Sequence, residues 1–293
     1  MMKKCVCTHP FRKLSLEDTL AILEDLGFKY FEASIDYGAH IYPYIVGRKN
    51  RSELKDLLSS YTTKLAVIGG FSDFAVCDAL IEKHQNFVKR QIEFANEFGV
   101  SILRAFITHL HKRYLDSSIR QRIVKNIRDI SRVAEDFGVK IAFENEPGNV
   151  PEDIIPILEN VNNPYVGVTF DPANFLASGV DPIEAGRKIA PYLLHVHLKD
   201  CIHIGRQIEG DEFQVLTFPR FQLGPMGVVT DYAFVEFGQG IMDQKTILLN
   251  LKELGYEGFL SLEYVKTEDV VRGTLIGKRN LEKLSKMLNI SLE

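Results

Sequence analysis

Short apolar runs alternate with longer amphipathic stretches along the whole chain. Eight runs read as strands: residues 4–8, 29–35, 64–70, 101–108, 139–145, 165–171, 192–198 and 258–264. Each has the length of a buried strand and is too short for a core helix. The stretches between them carry the helical period. Leu16, Leu20, Leu23 and Leu26 fall on one face, behind a Ser15 placed to cap the helix with Asp18 three residues on. Between residues 117 and 137, Ile119, Ile123, Ile127, Ile130, Val133 and Phe137 do the same.

Four helices close on one signal: Leu26-Gly27-Phe28, Phe98-Gly99-Val100, Phe137-Gly138-Val139 and Leu254-Gly255-Tyr256, each running into an apolar strand. Glycine at that place takes the left-handed turn that ends a helix. The glycines lie 72, 39 and 117 residues apart, close to two, one and three times a unit of about 37–39. Eight such units fill the 293 residues. A helix–strand unit recurring eight times predicts a single (β/α)8 TIM barrel over residues 1–293. An open doubly wound sheet would use the same elements, but a uniform period over eight strands favours closure. No linker, charge block or low-complexity tract divides the chain.

Composition narrows the partners. The chain has 35 basic and 39 acidic residues, a formal net charge of −4. That argues against nucleic acid, whose binding domains carry a basic face. No run approaches the roughly 18 apolar residues of a membrane span. The opening MMKKCVCTHP reads as a first strand rather than a signal peptide. Cys5, Cys7, Cys77 and Cys201 follow no zinc or disulfide spacing and read as reduced thiols of a cytoplasmic protein. A homo-oligomer is left open.

The candidate chemistry sits where charged residues end the apolar strands. The fifth strand ends in Glu144, the sixth in Asp171, the seventh in His197 and the eighth in Glu263. Side chains alternate across a strand, so parity assigns each a face. Ala142, Thr169, His195 and Ser261 share the face of these four, while Ile141/Phe143, Val168/Phe170, Leu194/Val196 and Leu260/Leu262 lie opposite. The apolar face suits the outer helices and the small or polar face suits the interior. Glu144, Asp171, His197 and Glu263 are therefore expected to point inward at the mouth. Three converging carboxylates repel unless a cation balances them. One divalent ion with these four ligands resolves this, Mn²⁺ or Mg²⁺ by preference, with Zn²⁺ or Co²⁺ also admitted.

These segments carry a resemblance. IAFENEPG, VGVTFDPANF, LLHVHLKD and the closing GQGIMDQKTILLNLKELGYEGFLSLEY resemble the sugar phosphate isomerase/epimerase family, which shares the xylose isomerase-like TIM barrel. The resemblance implies that Glu144, Asp171, His197 and Glu263 hold the metal, and that Glu144 and Glu263 serve as acid and base. Ketose epimerases of the group often carry His three residues after the sixth-strand Asp; here that residue is Asn174. The departure touches the epimerase subtype and leaves the metal set intact. The implied activity is isomerisation or epimerisation of a sugar, sugar phosphate or related hydroxy-ketone. A glutamate takes the proton beside the carbonyl, and its return to another face or carbon completes the reaction through an enediolate. Alternatives are a lyase that dehydrates a keto-inositol-like substrate, and an abasic-site endonuclease. The latter would need several zinc ions, more histidine ligands and a basic surface.

Glu146, Asn174, His195, Lys199 and Arg206 are candidate substrate-binding residues. Glu146 could instead cap the next helix, His195 sit as a structural histidine, and Lys199 and Arg206 stay as solvated loop charges. Phe175 is expected beside the metal. Glu32, and His109 and His111 after the fourth strand, are further candidates for the mouth. The segment 199–241, rich in glycine and phenylalanine, is too long for a simple strand–helix loop and is expected to cover the mouth.

Overall fold

The computed structural model describes residues 1–109, 115–203, 232–264 and 269–293. All eight expected strands form: β1 (Lys3–Cys7), β2 (Tyr30–Ser34), β3 (Lys64–Gly69), β4 (Ile102–Ala105), β5 (Lys140–Glu144), β6 (Val166–Phe170), β7 (Leu193–Leu198) and, last in sequence, β10 (Phe259–Leu262). They close into one parallel barrel in the order β1-β10-β7-β6-β5-β4-β3-β2, with β1 also paired to β2. Two strands escape the periodicity argument. β8 (Asp200–His203) and β9 (Tyr232–Val235) form an antiparallel hairpin whose register runs from Asp200 opposite Val235 to His203 opposite Tyr232. Its stems are the two ends of the long segment after β7. The cover expected of that segment rests largely on residues 204–231, outside the described residues, as do Arg206 and His111.

Among the described residues, six of the ten α-helices start on a polar side-chain cap. Helices α1 (Leu16–Asp25), α2 (Tyr42–Ile45), α3 (Arg51–Ser59), α4 (Asp78–Glu97), α5 (Ser117–Asp136), α6 (Pro151–Val161), α7 (Pro172–Ala177), α8 (Pro182–Ile189), α9 (Gln244–Glu253) and α10 (Val270–Met287) surround the barrel. Ser15 accepts the Asp18 amide at the start of α1, and Asp116 and Asp243 do the same for α5 and α9. Such caps satisfy amides that have no partner within the helix. Gly27, Gly99, Gly138 and Gly255 all take φ of 66–71° with open space where a Cβ would stand. A side chain there would be strained by the backbone, not by a neighbour. Among the described residues, no helix is long and apolar enough to cross a membrane.

Strand parity sorts the core. Ile141, Phe143, Val168, Phe170, Val196, Leu260 and Leu262 pack with the helix residues Ile123, Ile127 and Ile130 in the main core. Cys5, Ala66 and Val67 gather with Tyr30, Ile102 and Phe259 in a second, smaller cluster at the N-terminal half of the strands. The barrel is therefore plugged below, and only its upper interior is polar.

Candidate metal centre

The polar interior begins with Glu32. It lies on β2, fully buried, and its carboxylate takes bonds from three other strands. Oε2 accepts from His195 Nε2 at 3.0 Å, His197 Nε2 at 2.9 Å and Ser261 Oγ at 2.9 Å. Oε1 accepts from Arg104 Nε at 3.2 Å. Burial alone would raise the Glu32 carboxyl, but the charge on His197 and the bonds from both histidines hold it well below the usual carboxylate range. Glu32 thus works from below as an anchor for two imidazoles.

Anchoring fixes the tautomer of His197. In the neutral ring that a metal ligand requires, the Nε2 hydrogen goes to Glu32 and Nδ1 is the lone pair facing the other three. That atom is buried and has no hydrogen-bond partner among the described residues. It stands 3.3 Å from Glu144 Oε1 and 3.6 Å from Glu263 Oε2. One donor atom from each of Glu144, Asp171, His197 and Glu263 lies within 4.8 Å of the others. The four residues singled out by parity are thus brought together.

Each carboxylate is positioned by its strand end. Asn145 accepts the Asp171 amide and donates to the Asp171 carbonyl, both at 2.8 Å, extending the β5–β6 pairing by one side chain. Asp171 then caps α7 with Oδ1, which accepts the Asn174 amide at 3.0 Å. Its other oxygen faces Lys199 Nζ at 2.7 Å, and the same ammonium sits 2.7 Å from Glu263 Oε2. Arg104 Nε lies 3.5 Å from Glu144 Oε2.

Charge counting tests the metal. Glu32, Glu144, Asp171 and Glu263 face two permanent cations, Arg104 and Lys199. A divalent ion would meet the deficit of two. Without one, His197 takes up part of it: burial opposes charge on the ring, yet Glu32, Glu144 and Glu263 push its pKa well above the ordinary value. Burial also lifts Asp171 to about 6, against the pull of Lys199. Burial would raise Glu263 too, but Lys199 and His197 hold it well below the usual range. An unpartnered imidazole nitrogen among three carboxylates is a donor set that fits a divalent cation, and a carboxylate behind the imidazole is the usual support for such a ligand.

The remaining candidates fall around this cluster. His195 faces Glu32 rather than the mouth. Asn174 turns its amide to Glu144 Oε1 at 3.4 Å, and Phe175 is buried in the core behind it. Lys199 is not a solvated loop charge: it is 5 % exposed and lies inside the cluster. Glu146 caps no helix; its Oε2 lies 3.1 Å from His109 Nδ1. Burial raises the Glu146 carboxyl against the influence of His109, and in the imidazole the charge of Glu146 outweighs burial and raises its pKa. Arg104 and Asn145 were not anticipated. Arg104 shares the inward parity of Ile102, so an arginine at an inward strand position was the available signal. Asn145 had none, because its role depends on the end of a different strand.

A closed (β/α)8 barrel with three carboxylates and an imidazole converging at the C-terminal strand ends has the layout of metal-assisted TIM-barrel enzymes. The model of the xylose isomerase-like TIM barrel family matches residues 20–286, and the chain belongs to that family. An uncharacterised protein of Methanocaldococcus jannaschii is 24% identical over 96% of this chain and 90% of its own length. The 3-dehydroshikimate dehydratase of Bacillus anthracis is 22% identical over 96% of this chain and 99% of its own. An inosose isomerase of Bacillus subtilis is 28% identical over 62% of this chain and 59% of its own. The fold is shared with the crystal structure of a probable 3-DHS dehydratase from Bacillus anthracis, with TM-score 0.75, 21% identity, and coverage of 97% of this chain and 99% of that one. It is also shared with a D-tagatose 3-epimerase-like protein, with TM-score 0.73, 21% identity and coverage of 98% and 100%. A third structure, described with a bound zinc atom, has TM-score 0.73, 21% identity and coverage of 97% and 99%.

Proposed function

We propose that this chain is a divalent-metal-dependent isomerase or epimerase of a small polyhydroxylated ketone, and that it removes a proton from the carbon beside the carbonyl. The observation that carries the reading is the His197 Nδ1 atom, buried and without a hydrogen-bond partner among the described residues, standing among Glu144, Asp171 and Glu263. These four residues would hold the ion, Mn²⁺ or Mg²⁺ by preference. When bound, it polarises the carbonyl and acidifies the neighbouring C–H. Glu144 on β5 and Glu263 beyond β10 approach the cluster from different strands, so one can take the proton and the other return it. Return to the opposite face gives an epimer, and return to the adjacent carbon gives an isomer. Against burial, His197 and then Arg104 hold Glu144, and Lys199 and His197 hold Glu263, below the usual carboxylate range, the ionised state a base needs. Relatives named as inosose and 3-dehydroshikimate dehydratases favour a second reading, in which the same proton loss is followed by departure of a hydroxyl.

The test is solvent isotope entry. Wild-type protein with Mn²⁺ is incubated in D₂O with a panel of ketoses, keto-inositols and 3-dehydroshikimate. Deuterium is expected at the carbon beside the carbonyl in one of them, and Glu263→Gln is expected to abolish its entry. Turnover without deuterium in substrate or product would instead point to hydride transfer.

A further inference from the structure

Above the metal cluster, a second pair of titratable groups takes no part in holding an ion. His109 follows β4 and Glu146 follows β5, with Nδ1 and Oε2 at 3.1 Å. The imidazole packs against two rings. It stacks on Phe71 at 4.9 Å with 16° between the planes, and tilts on Phe106 at 4.9 Å. Phe106 carries the Arg104 guanidinium 4.8 Å from its centroid, and Arg104 in turn touches Glu144. The imidazole therefore stands two side chains, Phe106 and Arg104, away from Glu144. Its Nδ1 lies within ion-pair distance of Glu146. Its Nε2 is buried and has no hydrogen-bond partner among the described residues. A ring fixed in orientation by stacking and by a carboxylate, with its far nitrogen uncommitted, is built to hold or deliver one proton at Nε2.

Enolisation alone needs no such group, because Glu144 and Glu263 already provide both proton transfers. Elimination does need one. We infer that His109, oriented by Glu146, protonates a hydroxyl on the carbon once removed from the proton-losing carbon, so that enolisation runs on to loss of water. This rests on the proton abstraction proposed above and takes the second of its readings, dehydration, in place of epimerisation or isomerisation. The step balances. A glutamate takes the C–H proton and the C–H electron pair becomes the new C=C bond. The C–O bond breaks toward oxygen, which takes the Nε2 proton and leaves as water. The glutamate then returns its proton to solvent and His109 regains one. The substrate is thereby a β-hydroxy ketone and the product an α,β-unsaturated ketone. His109 is the catalytic acid and Glu146 a positioning residue.

The experiment separates the two half-reactions. Wild type, His109→Gln and Glu146→Gln, each loaded with Mn²⁺, are given 2-keto-myo-inositol, 3-dehydroshikimate, and analogues of both with fluorine in place of the β-hydroxyl. C–H exchange in D₂O, water loss and fluoride release are followed. Fluoride leaves without a proton. His109→Gln is expected to keep C–H exchange, to lose water elimination at least ~10²-fold, the usual contribution of a positioned acid, and to release fluoride at near the wild-type rate. Glu146→Gln is expected to repeat this pattern more weakly. Wild type that exchanges C–H but eliminates no water overturns this inference and leaves the enolisation reading standing. Equal loss of exchange, dehydration and fluoride release in His109→Gln also overturns it, since that marks a structural role. Wild type without exchange on any of these ketones overturns the enolisation reading and this inference together.

Discussion

Replacing Glu32 with glutamine is the sharpest probe of how the centre is held. The substitution keeps shape and removes charge. Four donors converge on the carboxylate: His195, His197, Ser261 and Arg104. Three meet at Oε2 and one at Oε1. An amide can offer its oxygen to only one of these groups and must turn its NH₂ toward the other. With oxygen toward the histidines, the buried Arg104 faces a donor and loses its partner. With oxygen toward Arg104, both imidazoles must turn over their protons, and the His197 lone pair no longer faces Glu144 and Glu263. Breaking a buried charge pair on one side costs about 3–5 kcal/mol. Loss of a carboxylate behind a metal-ligating imidazole lowers metal affinity about 10–100-fold, or ~1.4–2.8 kcal/mol. Calorimetric titration of Mn²⁺ into chelator-treated wild type and Glu32→Gln reads the affinity, and denaturant unfolding reads the stability. Nitrogen NMR of ¹⁵N-histidine reads the tautomer directly. Unchanged Mn²⁺ affinity with an unchanged His197 tautomer would refute the reasoning, because neither amide orientation can preserve both.

Three other outcomes are expected. Glu263→Gln should remain folded and lose turnover by at least about 10²-fold, the share of a general base, as measured by deuterium entry from D₂O. His40 is buried against Thr8 and Thr19, and desolvation lowers its pKa from 6.5 to about 4. The unfolded chain therefore binds the proton first. Stability is full above pH 6.5 and falls as pH drops toward 4, by about 2 kcal/mol at pH 5. His40 has φ of 46°, so His40→Asn, which tolerates that backbone, should flatten the slope in urea unfolding at pH 7 and pH 5. A Cβ at Gly240 would lie 2.2 Å from Asp200 Oδ1 and 2.3 Å from the Cys201 carbonyl. Gly240→Ala should thus cost about 2 kcal/mol or more by overpacking, as read by thermal unfolding.

That last site also explains why the closing run of the sequence was so recognisable. Asp200 accepts the Gly238 amide at 3.0 Å and the Met242 amide at 3.1 Å, so the Gly-x-Gly wraps a carboxylate placed just beyond β7. Gly238 takes φ of 80°, and Gly240 has no room for a side chain. The glycines were visible as a motif, but the group they enclose lies some forty residues earlier.

The sequence by itself determined the barrel and the cluster of Glu144, Asp171, His197 and Glu263. Both follow from local rules. Helix period, glycine termini and strand alternation repeat along the chain, and parity carries a side chain to the inside whatever its neighbours are. What only the tertiary structure decided lies across the barrel. Glu32 on β2 meets His195 and His197 on β7, 163 and 165 residues away, and that contact chooses the nitrogen His197 presents. Lys199 lies just past the end of β7 on the face of His195 and His197, but its place between Asp171 and Glu263 follows from closure of the sheet around it. The pairing of His109 with Glu146 joins two loops that only neighbouring strands bring together. Periodicity orients a residue relative to its own strand. Which residue it faces, and hence its charge and proton, is set by the strands that close the barrel around it.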